Sequence, residues 1–229
     1  MSDVQVFPPY GFVKLVKSIG DEVDIVNAAR VSFHKEIQHL DVTDKELIRW
    51  LLRKHHGTPF EQGFNAFWHV RVPIFVMREW VRHRIGHSVN EESGRYVELR
   101  PHFYLPRVRD VRSQVGKPGA YTFEPVDEET ALWWINHLHK HSAAGYQLYQ
   151  EALERGIAKE MARTALSLNL YTEFRWTSNA RSLMHFLALR NHDEAQFEIK
   201  EYAAAMEGLF AKELPIVHEA FVSNGRVAP

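Results

Sequence analysis

The chain has 229 residues and no cysteine. Disulfides, iron–sulfur clusters, cysteine-ligated zinc sites and cysteine nucleophiles are therefore all excluded. A chain of this length buries about 70% of its unfolded surface, so its core needs no such cross-links. Long apolar runs are also missing. The longest, Pro73–Met77, is far shorter than the roughly 20 residues that span a bilayer, which predicts that no membrane is involved.

Targeting and nucleotide-binding signatures are missing as well. The first residues lack a basic segment followed by an apolar stretch, which predicts a cytoplasmic protein. The glycine-rich dinucleotide fingerprint, the phosphate-binding P-loop and the G-x-S-x-G elbow do not occur. A bound nucleotide or flavin must therefore have its phosphates held by side chains. The formal net charge of −1 disfavours a globally basic nucleic-acid binder.

The charges are distributed unevenly along the chain. Residues 71–84 contain four arginines and one acid, and residues 159–190 contain five basic residues and two acids. Residues 193–219 reverse the sign, with seven acids and two lysines. Because arginine forks bind phosphate in a two-pronged manner, the two basic clusters predict a local anion site. Solvated helix faces are the alternative interpretation.

Hydrophobic periodicity predicts a helix-rich α+β fold with a small mixed or antiparallel sheet. Apolar residues alternate with polar ones from Phe64 to Val72 and from Leu168 to Trp176, as in strands with one buried face. A shorter strand is predicted from Gly11 to Val16. The strands do not alternate regularly with helices, which disfavours a doubly wound sheet. No linker divides the sequence, so we expect a single domain over residues 1–229.

Several local signals predict where helices begin and end. Thr43 and Glu46 form a potential capping box for a helix that runs to about His55. A helix from Pro73 to Gly86 would place Ile74, Met77 and Val81 in the core. Residues 101–127, with four prolines and two glycines, are predicted to form a long loop. Further helices are predicted at 21–33, 128–155, from Gly156 to about 167, 178–190 and 193–222.

Two histidine-containing segments have open interpretations. His137 and His141 share a helix face, which would suit a metal-dependent phosphohydrolase, but the glutamate of H-E-x-x-H is missing. The segment from His55 to Glu61 is either a helix cap or a loop that places His56, Thr58 and Glu61 beside a ligand. The spacing favours neither. A nucleotide-binding or nucleic-acid-binding module that uses the two arginine clusters is a further alternative.

The segment from Arg82 to Tyr96 is the most unusual one. It begins with Arg82, His83 and Arg84 and continues into the run SVNEESGRY. This pattern strongly resembles the signature R-H-R-x-x-S-x-N-E-x-S-x-R of flavin-dependent thymidylate synthases. Segments resembling other blocks of that family follow in the family's order and cover nearly the whole chain apart from residues 101–157. They are GFVKLV, NAARVSF, HGTPFEQ, VPIFVMREWVRHR, LNLYTEFRWTSNARSLMHFLALR and AQFEIKEYA.

The resemblance implies an enzyme that methylates dUMP to dTMP. Methylenetetrahydrofolate would supply the carbon, and FAD reduced by NADPH would supply the hydride. The family works as a homotetramer with sites shared between subunits. The absence of cysteine agrees with this, because the other thymidylate synthase mechanism adds a thiolate to the uracil ring.

The matching positions also imply roles for individual residues. Arg190 resembles the family arginine credited with activating the uracil ring, and Arg190 and Ser93 are the predicted catalytic residues. No metal ligand is implied. The implied FAD contacts are His56, Thr58, Arg82, His83, Arg84, Glu91, Asn179, Arg181 and His185. The implied dUMP contacts are Glu79, Arg82, Ser93, Gly94, Arg95, Arg163 and Arg190.

The sequence departs from the family pattern at a few positions. Three residues, Ile85 to His87, stand before Ser88 where the signature has two. Glu79 stands where many members have glutamine, and its charge would repel a phosphate or a uracil carbonyl unless it is protonated or paired with Arg82 or His83. His185 and Gln62 replace an asparagine and a histidine of some members.

Overall fold

The computed structural model describes residues 2–229 as a mixture of helices and largely antiparallel sheet, which confirms the α+β class. The strands are β1 (Ser2–Gln5), β2 (Phe12–Ile19), β3 (Asn65–Pro73), β4 (His87–Glu91), β5 (Arg112–Lys117), β6 (Ala120–Pro125) and β7 (Tyr171–Asn179). The helices are α1 (Glu22–Arg30), α2 (Val42–Arg53), α3 (Thr58–Gln62), α4 (Ile74–Trp80), α5 (Glu128–Glu154), α6 (Lys159–Ala162), α7 (Ala180–Arg190), α8 (Phe197–Glu213) and α9 (Pro215–Ser223).

The described chain divides into two compact units. The first contains the residues up to Val72 together with Val76–Glu91 and Glu173–Pro229, and the second contains Pro73–Phe75 and Glu92–Thr172. A five-stranded sheet with the order β1-β2-β3-β7-β4 forms in the first unit. The second unit holds the β5–β6 hairpin and the long helix α5.

The alternating segments form neighbouring strands in the middle of the first unit's sheet. Every second residue of β3 is buried, and Ala66, Trp68 and Val70 are at most 1% exposed. On β7, Phe174 and Trp176 are buried in the same alternating manner. This confirms the predicted strands, because a period of two places one set of side chains in the core.

Helix α2 begins two residues earlier than the sequence signal predicted. Its N-cap is Asp41, whose carboxylate accepts a hydrogen bond from the backbone N–H of Asp44, while the Asp44 carboxylate accepts one from the N–H of Asp41. The predicted box of Thr43 and Glu46 is therefore wrong. Aspartate is at least as good an N-cap as threonine, and the Asp41–Asp44 pair has the same three-residue spacing.

Helix α4 is shorter than predicted. It ends at Trp80 rather than near Gly86, and Val81 is 41% exposed instead of lying in the core. The buried residues are Val76, Met77 and Trp80. The chain leaves the helix early because residues 87–91 pair with β7 as an edge strand.

Strand β1 was not predicted, and neither were two further short sheet elements. Residues 101–127, expected to be a loop, contain the hairpin of β5 and β6, in which Arg112 pairs with Pro125 and Lys117 with Ala120. Strand β4 has no strand signal either, because its sequence, HSVNE, is mostly polar. Both elements have largely exposed side chains, so no buried face marks them in the sequence. Within residues 2–229, no helix is long and apolar enough to cross a membrane.

Candidate active site

Helix α7 places two of the predicted site arginines at its opposite ends. Asn179 caps the helix, because its side-chain oxygen accepts a hydrogen bond from the N–H of Ser182 at 2.8 Å. Arg181 consequently lies in the first turn and Arg190 is the last helical residue. The strand β7 leads directly into this cap, so the sheet fixes where the helix begins.

The Arg190 guanidinium is held by two residues at the end of α4. Its Nη1 donates to Oε2 of Glu79 at 2.7 Å, and its Nη2 donates to the Glu79 carbonyl oxygen at 3.1 Å. Its Nε donates to Nε2 of His83 at 3.0 Å. A guanidinium has five N–H donors, so two of them have no acceptor among residues 2–229. Arg190 is thus oriented by the protein and still has donors to offer.

The hydrogen bond from Arg190 defines the protonation of His83. Because a guanidinium only donates, Nε2 of His83 must carry a lone pair, and the proton of the neutral ring sits on Nδ1. Burial and, to a smaller extent, the neighbouring Arg190, His87 and His185 together lower the pKa of His83 to about 4. His83 is therefore neutral near pH 7 and acts as an acceptor.

Glu79 lies in a half-buried ion pair whose partner differs from the expected ones. The carboxylate pairs with Arg190 rather than with Arg82 or His83, and its side chain is 24% exposed. Burial raises the pKa of Glu79, Arg190 opposes that rise, and Glu198 adds to it. The sequence predicted that the Glu79 carboxylate would repel a phosphate or a uracil carbonyl. The ion pair reduces this repulsion, because Arg190, a residue of the same predicted site, compensates the charge of Glu79.

The N-terminal end of α7 packs against the segment that begins α3. A Cβ at Gly57 would lie 2.5 Å from Nε of Arg181, so only glycine allows this close approach. Arg181 donates to the Glu61 carboxylate through Nη1 and to the Pro229 carbonyl oxygen through Nε at 2.6 Å. The segment from His55 to Glu61 therefore does contact a predicted cofactor residue, through Gly57 and Glu61.

The remaining predicted flavin contacts in the first unit are accessible. His56 stacks on Trp50, with ring centroids 4.9 Å apart. The other exposed members of the set are Thr58, Arg82, Arg84, Glu91 and His185. Neither the Arg82 nor the Arg84 side chain has a hydrogen-bonding or ionic partner within the described part of the chain. Two unpaired guanidinium groups are thus available to an anionic ligand.

An aromatic cluster lies behind these polar residues. Trp80 contacts Trp176 at 5.5 Å and Phe186 at 4.7 Å between ring centroids. His83 meets Phe186 edge-on at 4.9 Å, and His87 stacks on Trp176 at 4.6 Å. Sequence reasoning left His87 without a role, although the extra residue in the signature marks its position. The cluster partly shields both imidazoles from water.

The other predicted nucleotide contacts lie together in the second unit. Nε of Arg95 donates to the Glu160 carboxylate at 3.2 Å, and Nε of Arg163 donates to the Glu160 carbonyl oxygen at 3.4 Å. Gly94 is buried between them, and a Cβ there would lie 3.3 Å from Cδ of Arg163. The Ser93 hydroxyl accepts a long hydrogen bond of 3.3 Å from the N–H of Arg95.

This basic group is fixed by the end of α5. The Tyr149 hydroxyl accepts from the N–H of Leu99 at 3.1 Å, and the Tyr146 hydroxyl donates to the Leu99 carbonyl oxygen at 3.1 Å. Tyr149 also packs with Ala162, which precedes Arg163. The predicted substrate residues are therefore divided between the units, with Glu79, Arg82 and Arg190 in the first and Ser93, Gly94, Arg95 and Arg163 in the second.

The histidines of α5 do not form a metal-binding group. The ring of His137 lies 4.7 Å from that of Trp133, and its Nδ1 contacts the Trp133 carbonyl oxygen at 2.7 Å. Among residues 2–229, no three histidine, aspartate or glutamate side chains are arranged to hold a metal ion. The structure offers no observation that favours the phosphohydrolase alternative.

Comparisons with known proteins extend this picture over most of the chain. Residues 14–216 match the family described as thymidylate synthase complementing protein. A flavin-dependent thymidylate synthase of Thermotoga neapolitana is 44% identical over 93% of this chain and 91% of its own length. A flavin-dependent thymidylate synthase of Streptomyces coelicolor is 43% identical over 95% of this chain and 93% of its own length. The crystal structure of the UMP/dUMP methylase PolB from Streptomyces cacaoi, bound with 5-Br dUMP, superimposes with a TM-score of 0.87 at 39% identity, covering 95% of this chain and 97% of that one.

Proposed function

This chain belongs to the thymidylate synthase complementing protein family and is a flavin-dependent methyltransferase, and we propose that it methylates dUMP to dTMP. The carbon comes from methylenetetrahydrofolate, and FAD reduced by NADPH carries the hydride. The match at residues 14–216 spans both compact units, so the proposed enzyme uses both as one functional domain. The similar structure that holds 5-Br dUMP supports a pyrimidine nucleotide as the substrate.

The donor set of the first unit fits FAD. The exposed Arg82 and Arg84, which lack partners in the described chain, suit the two negative charges of the pyrophosphate. The capped N-terminus of α7, with Asn179 and Arg181, adds backbone N–H groups and a third guanidinium. We propose that these residues hold the cofactor together with His56, Thr58, His83, Glu91 and His185. When bound, the flavin supplies the redox chemistry.

The orientation of Arg190 is the observation that carries the proposed reaction. Glu79 and His83 occupy three of its N–H donors, which leaves two for a ligand. Hydride addition to the uracil ring places negative charge on a ring oxygen, and prearranged cationic donors stabilise such charge strongly. Arg190 would therefore polarise the ring, and the neutral His83 would hold the guanidinium without competing as a second cation.

The cluster of the second unit suits the nucleotide's phosphate. Arg95 and Arg163 are exposed, and only Arg95 pairs with the Glu160 carboxylate, while Arg163 donates to the Glu160 carbonyl oxygen, so the group keeps an excess of positive charge. The Ser93 hydroxyl is a neutral donor beside these cations, since among residues 2–229 only the N–H of Arg95 is bonded to it. Its proposed role is to position the nucleotide through a hydrogen bond rather than to attack it.

We propose further that the enzyme works as a homotetramer with sites shared between subunits. Helix α5 carries several exposed large apolar side chains, which contact with another subunit would remove from water. They are Leu132, Trp133, Trp134 and Leu148. If subunit contacts complete the site, dilution should release flavin and abolish activity at the same protein concentration. A stable monomer that retains FAD and full turnover would contradict this arrangement.

The experiment that tests the proposed function uses the purified full chain. Its visible absorbance is recorded as isolated and after incubation with FAD. Thymidylate formation is then followed with dUMP, methylenetetrahydrofolate and NADPH, omitting one component at a time. UMP replaces dUMP in a parallel reaction, because the similar PolB acts on both. A colourless protein that cannot be reconstituted with FAD would refute the proposal and favour the nucleotide-binding alternative.

A further inference from the structure

The chain that follows α9 reverses its direction in a tight turn. The N–H groups of Gly225 and Arg226 donate back to the carbonyl oxygens of Val222 and Phe221. Gly225 and Arg226 have φ values of +69° and +60°. This left-handed conformation suits glycine but is unfavourable for arginine, so contacts elsewhere must hold Arg226 in it. We call residues 224–229 the strap.

The strap is anchored through Arg226 to a buried carboxylate on α8. Nη1 of Arg226 donates to Oε2 of Glu207 at 2.7 Å and its Nη2 donates to Oε1 at 2.8 Å, and Glu207 is 6% exposed. Asn191, the residue after α7, donates to the same Oε2 at 2.6 Å, and Nε2 of His218 on α9 lies 2.9 Å from Oε1. Two-pronged pairing with a carboxylate is strong and directional. One side chain therefore joins the strap to three helices.

The other end of the strap reaches the first turn of α7. Ala228 and Pro229 are buried, and the Pro229 carbonyl oxygen accepts a hydrogen bond from Nε of Arg181 at 2.6 Å. The Pro229 backbone also makes a hydrogen bond with His185. That bond opposes the lowering of the His185 pKa by burial and by Arg181. The strap therefore contacts two residues that we assign to the cofactor.

The contact at Nε decides which donors of Arg181 remain available. Glu61 accepts from Nη1, and the N–H groups of Nη2 have no acceptor among residues 2–229. A carboxylate pairs strongly with a guanidinium through two nitrogens at once, for example Nε and Nη2. Because the Pro229 oxygen occupies Nε, this side-on pairing is blocked for Glu61. Glu61 holds Arg181 through Nη1 alone, and Nη2 stays available to an anionic ligand.

We propose that the strap is a positioning element of the cofactor site, in which Pro229 holds the Arg181 side chain so that its Nη2 meets the pyrophosphate of FAD. The inference rests on the proposed function, since it requires that the chain binds FAD. It assigns a role to residues that lie outside the family match at residues 14–216. The pair of Glu207 and Arg226 anchors the strap, and the Pro229 carbonyl oxygen is the atom through which it acts.

A truncation removes the contact and leaves its anchor in place. The shortened chain ends at Arg226, so it lacks Pro229 but keeps the pair with Glu207. The measurement is the dissociation constant of FAD from the apo-protein, by quenching of flavin fluorescence. A hydrogen bond to a charged group contributes roughly ten- to a hundredfold to an affinity, and a freed Arg181 keeps part of that contribution. The truncation should therefore raise the dissociation constant by about three- to tenfold.

A double-mutant cycle shows whether the strap acts through Arg181. In Arg181→Met, the same truncation should change the dissociation constant by about twofold at most, because the positioned group is already absent. Arg226→Gln, which breaks the fork to Glu207, should weaken FAD binding in the same direction as the truncation. Glu219→Gln is the matched control, because it breaks an exposed ion pair between α9 and Arg49 and leaves the strap intact. It should bind FAD like the wild type.

The outcomes separate this inference from the proposed function. If the wild type binds no FAD, the proposed function fails and the inference fails with it. If the wild type binds FAD and the truncated chain binds it equally well or more tightly, the inference alone is overturned. An equal loss of affinity in the Arg181→Met background would also overturn it, because the strap would then support the fold rather than Arg181. If the truncated chain does not fold, Arg226→Gln and its combination with Arg181→Met decide in the same way.

Discussion

Replacing Arg190 by alanine should strongly impair the activation of the nucleotide while leaving the cofactor bound. The substitution removes three hydrogen bonds and leaves the Glu79 carboxylate, 24% exposed, without its counter-ion. The loss of folding stability should be about 1–3 kcal/mol, because the pair is partly exposed and Glu79 can take up a proton. Removing a donor that faces developing charge should slow the reaction by about 10²–10³-fold.

The assay measures both effects in the same preparation. Flavin content is read from visible absorbance, and dUMP-dependent oxidation of the reduced flavin is followed at the same wavelength. Arg190→Lys should recover only part of the rate, because an ammonium cannot reproduce contacts that diverge from Nε, Nη1 and Nη2. Glu79→Gln is the matched control, since its amide oxygen still accepts from Arg190. It should therefore retain more activity than either arginine variant.

Two results would refute this reasoning. Wild-type oxidation in Arg190→Ala would mean that the guanidinium has no role in activating the nucleotide. Loss of FAD from Arg190→Ala would mean that its main contribution is to the cofactor site or to the local fold. If Glu79→Gln were as inactive as Arg190→Ala, the charge of Glu79 itself would be required, and the view of Glu79 as a holder of Arg190 would be wrong.

Three further predictions concern other parts of the site. Ser93→Ala should stay measurably active but require more dUMP, with binding or rate reduced about ten- to a hundredfold. A covalent adduct on wild-type Ser93, seen by mass spectrometry, would contradict this prediction. His83 and His87 have pKa values of about 4 when folded against 6.5 otherwise, so the unfolded chain binds protons that the folded chain does not. The free energy of unfolding from urea titrations should accordingly fall as the pH drops from about 6.5 towards 4, and a flat profile would argue against neutral imidazoles. Gly57→Ala should weaken FAD binding, because the added Cβ would displace the Arg181 side chain. Fluorescence titration measures the affinity, and an unchanged value would show that Arg181 can shift without affecting FAD binding.

The parts of the fold that could be predicted are those with a buried face. Strands β3 and β7 were visible because a period of two separates core from surface, and Trp68 and Trp176 are each 1% exposed. Helices α5 and α7 were placed within one or two residues, since Gly156 ends the first with a φ of +78° and Asn179 caps the second. In these elements the local sequence and the packing favour the same conformation.

In the elements that were not predicted or were misplaced, the local sequence does not indicate the conformation that the rest of the chain imposes. Strand β4 has largely exposed side chains and exists because its backbone pairs with β7, a partner more than 80 residues away. Backbone pairing of this kind leaves no periodic signal in side chains. The capping box of α2 was misplaced for a different reason, because Asp41 and Thr43 are both good caps and only the course of the preceding chain decides between them.

In the candidate site, too, the sequence predicts some features of single residues and not others. The arginines were identified from the motif, but the motif does not say that Glu79 and His83 both bind Arg190. That arrangement decides the chemistry, because a protonated His83 could not accept from a guanidinium. Burial of His83, which contacts Phe186, is the main cause of its lowered pKa, and the charge of Arg190 adds to it. A pattern such as R-H-R specifies which side chains are present. Whether the middle one is a cation or an acceptor depends on the aromatic cluster that Trp80, Trp176 and Phe186 form from three separate elements.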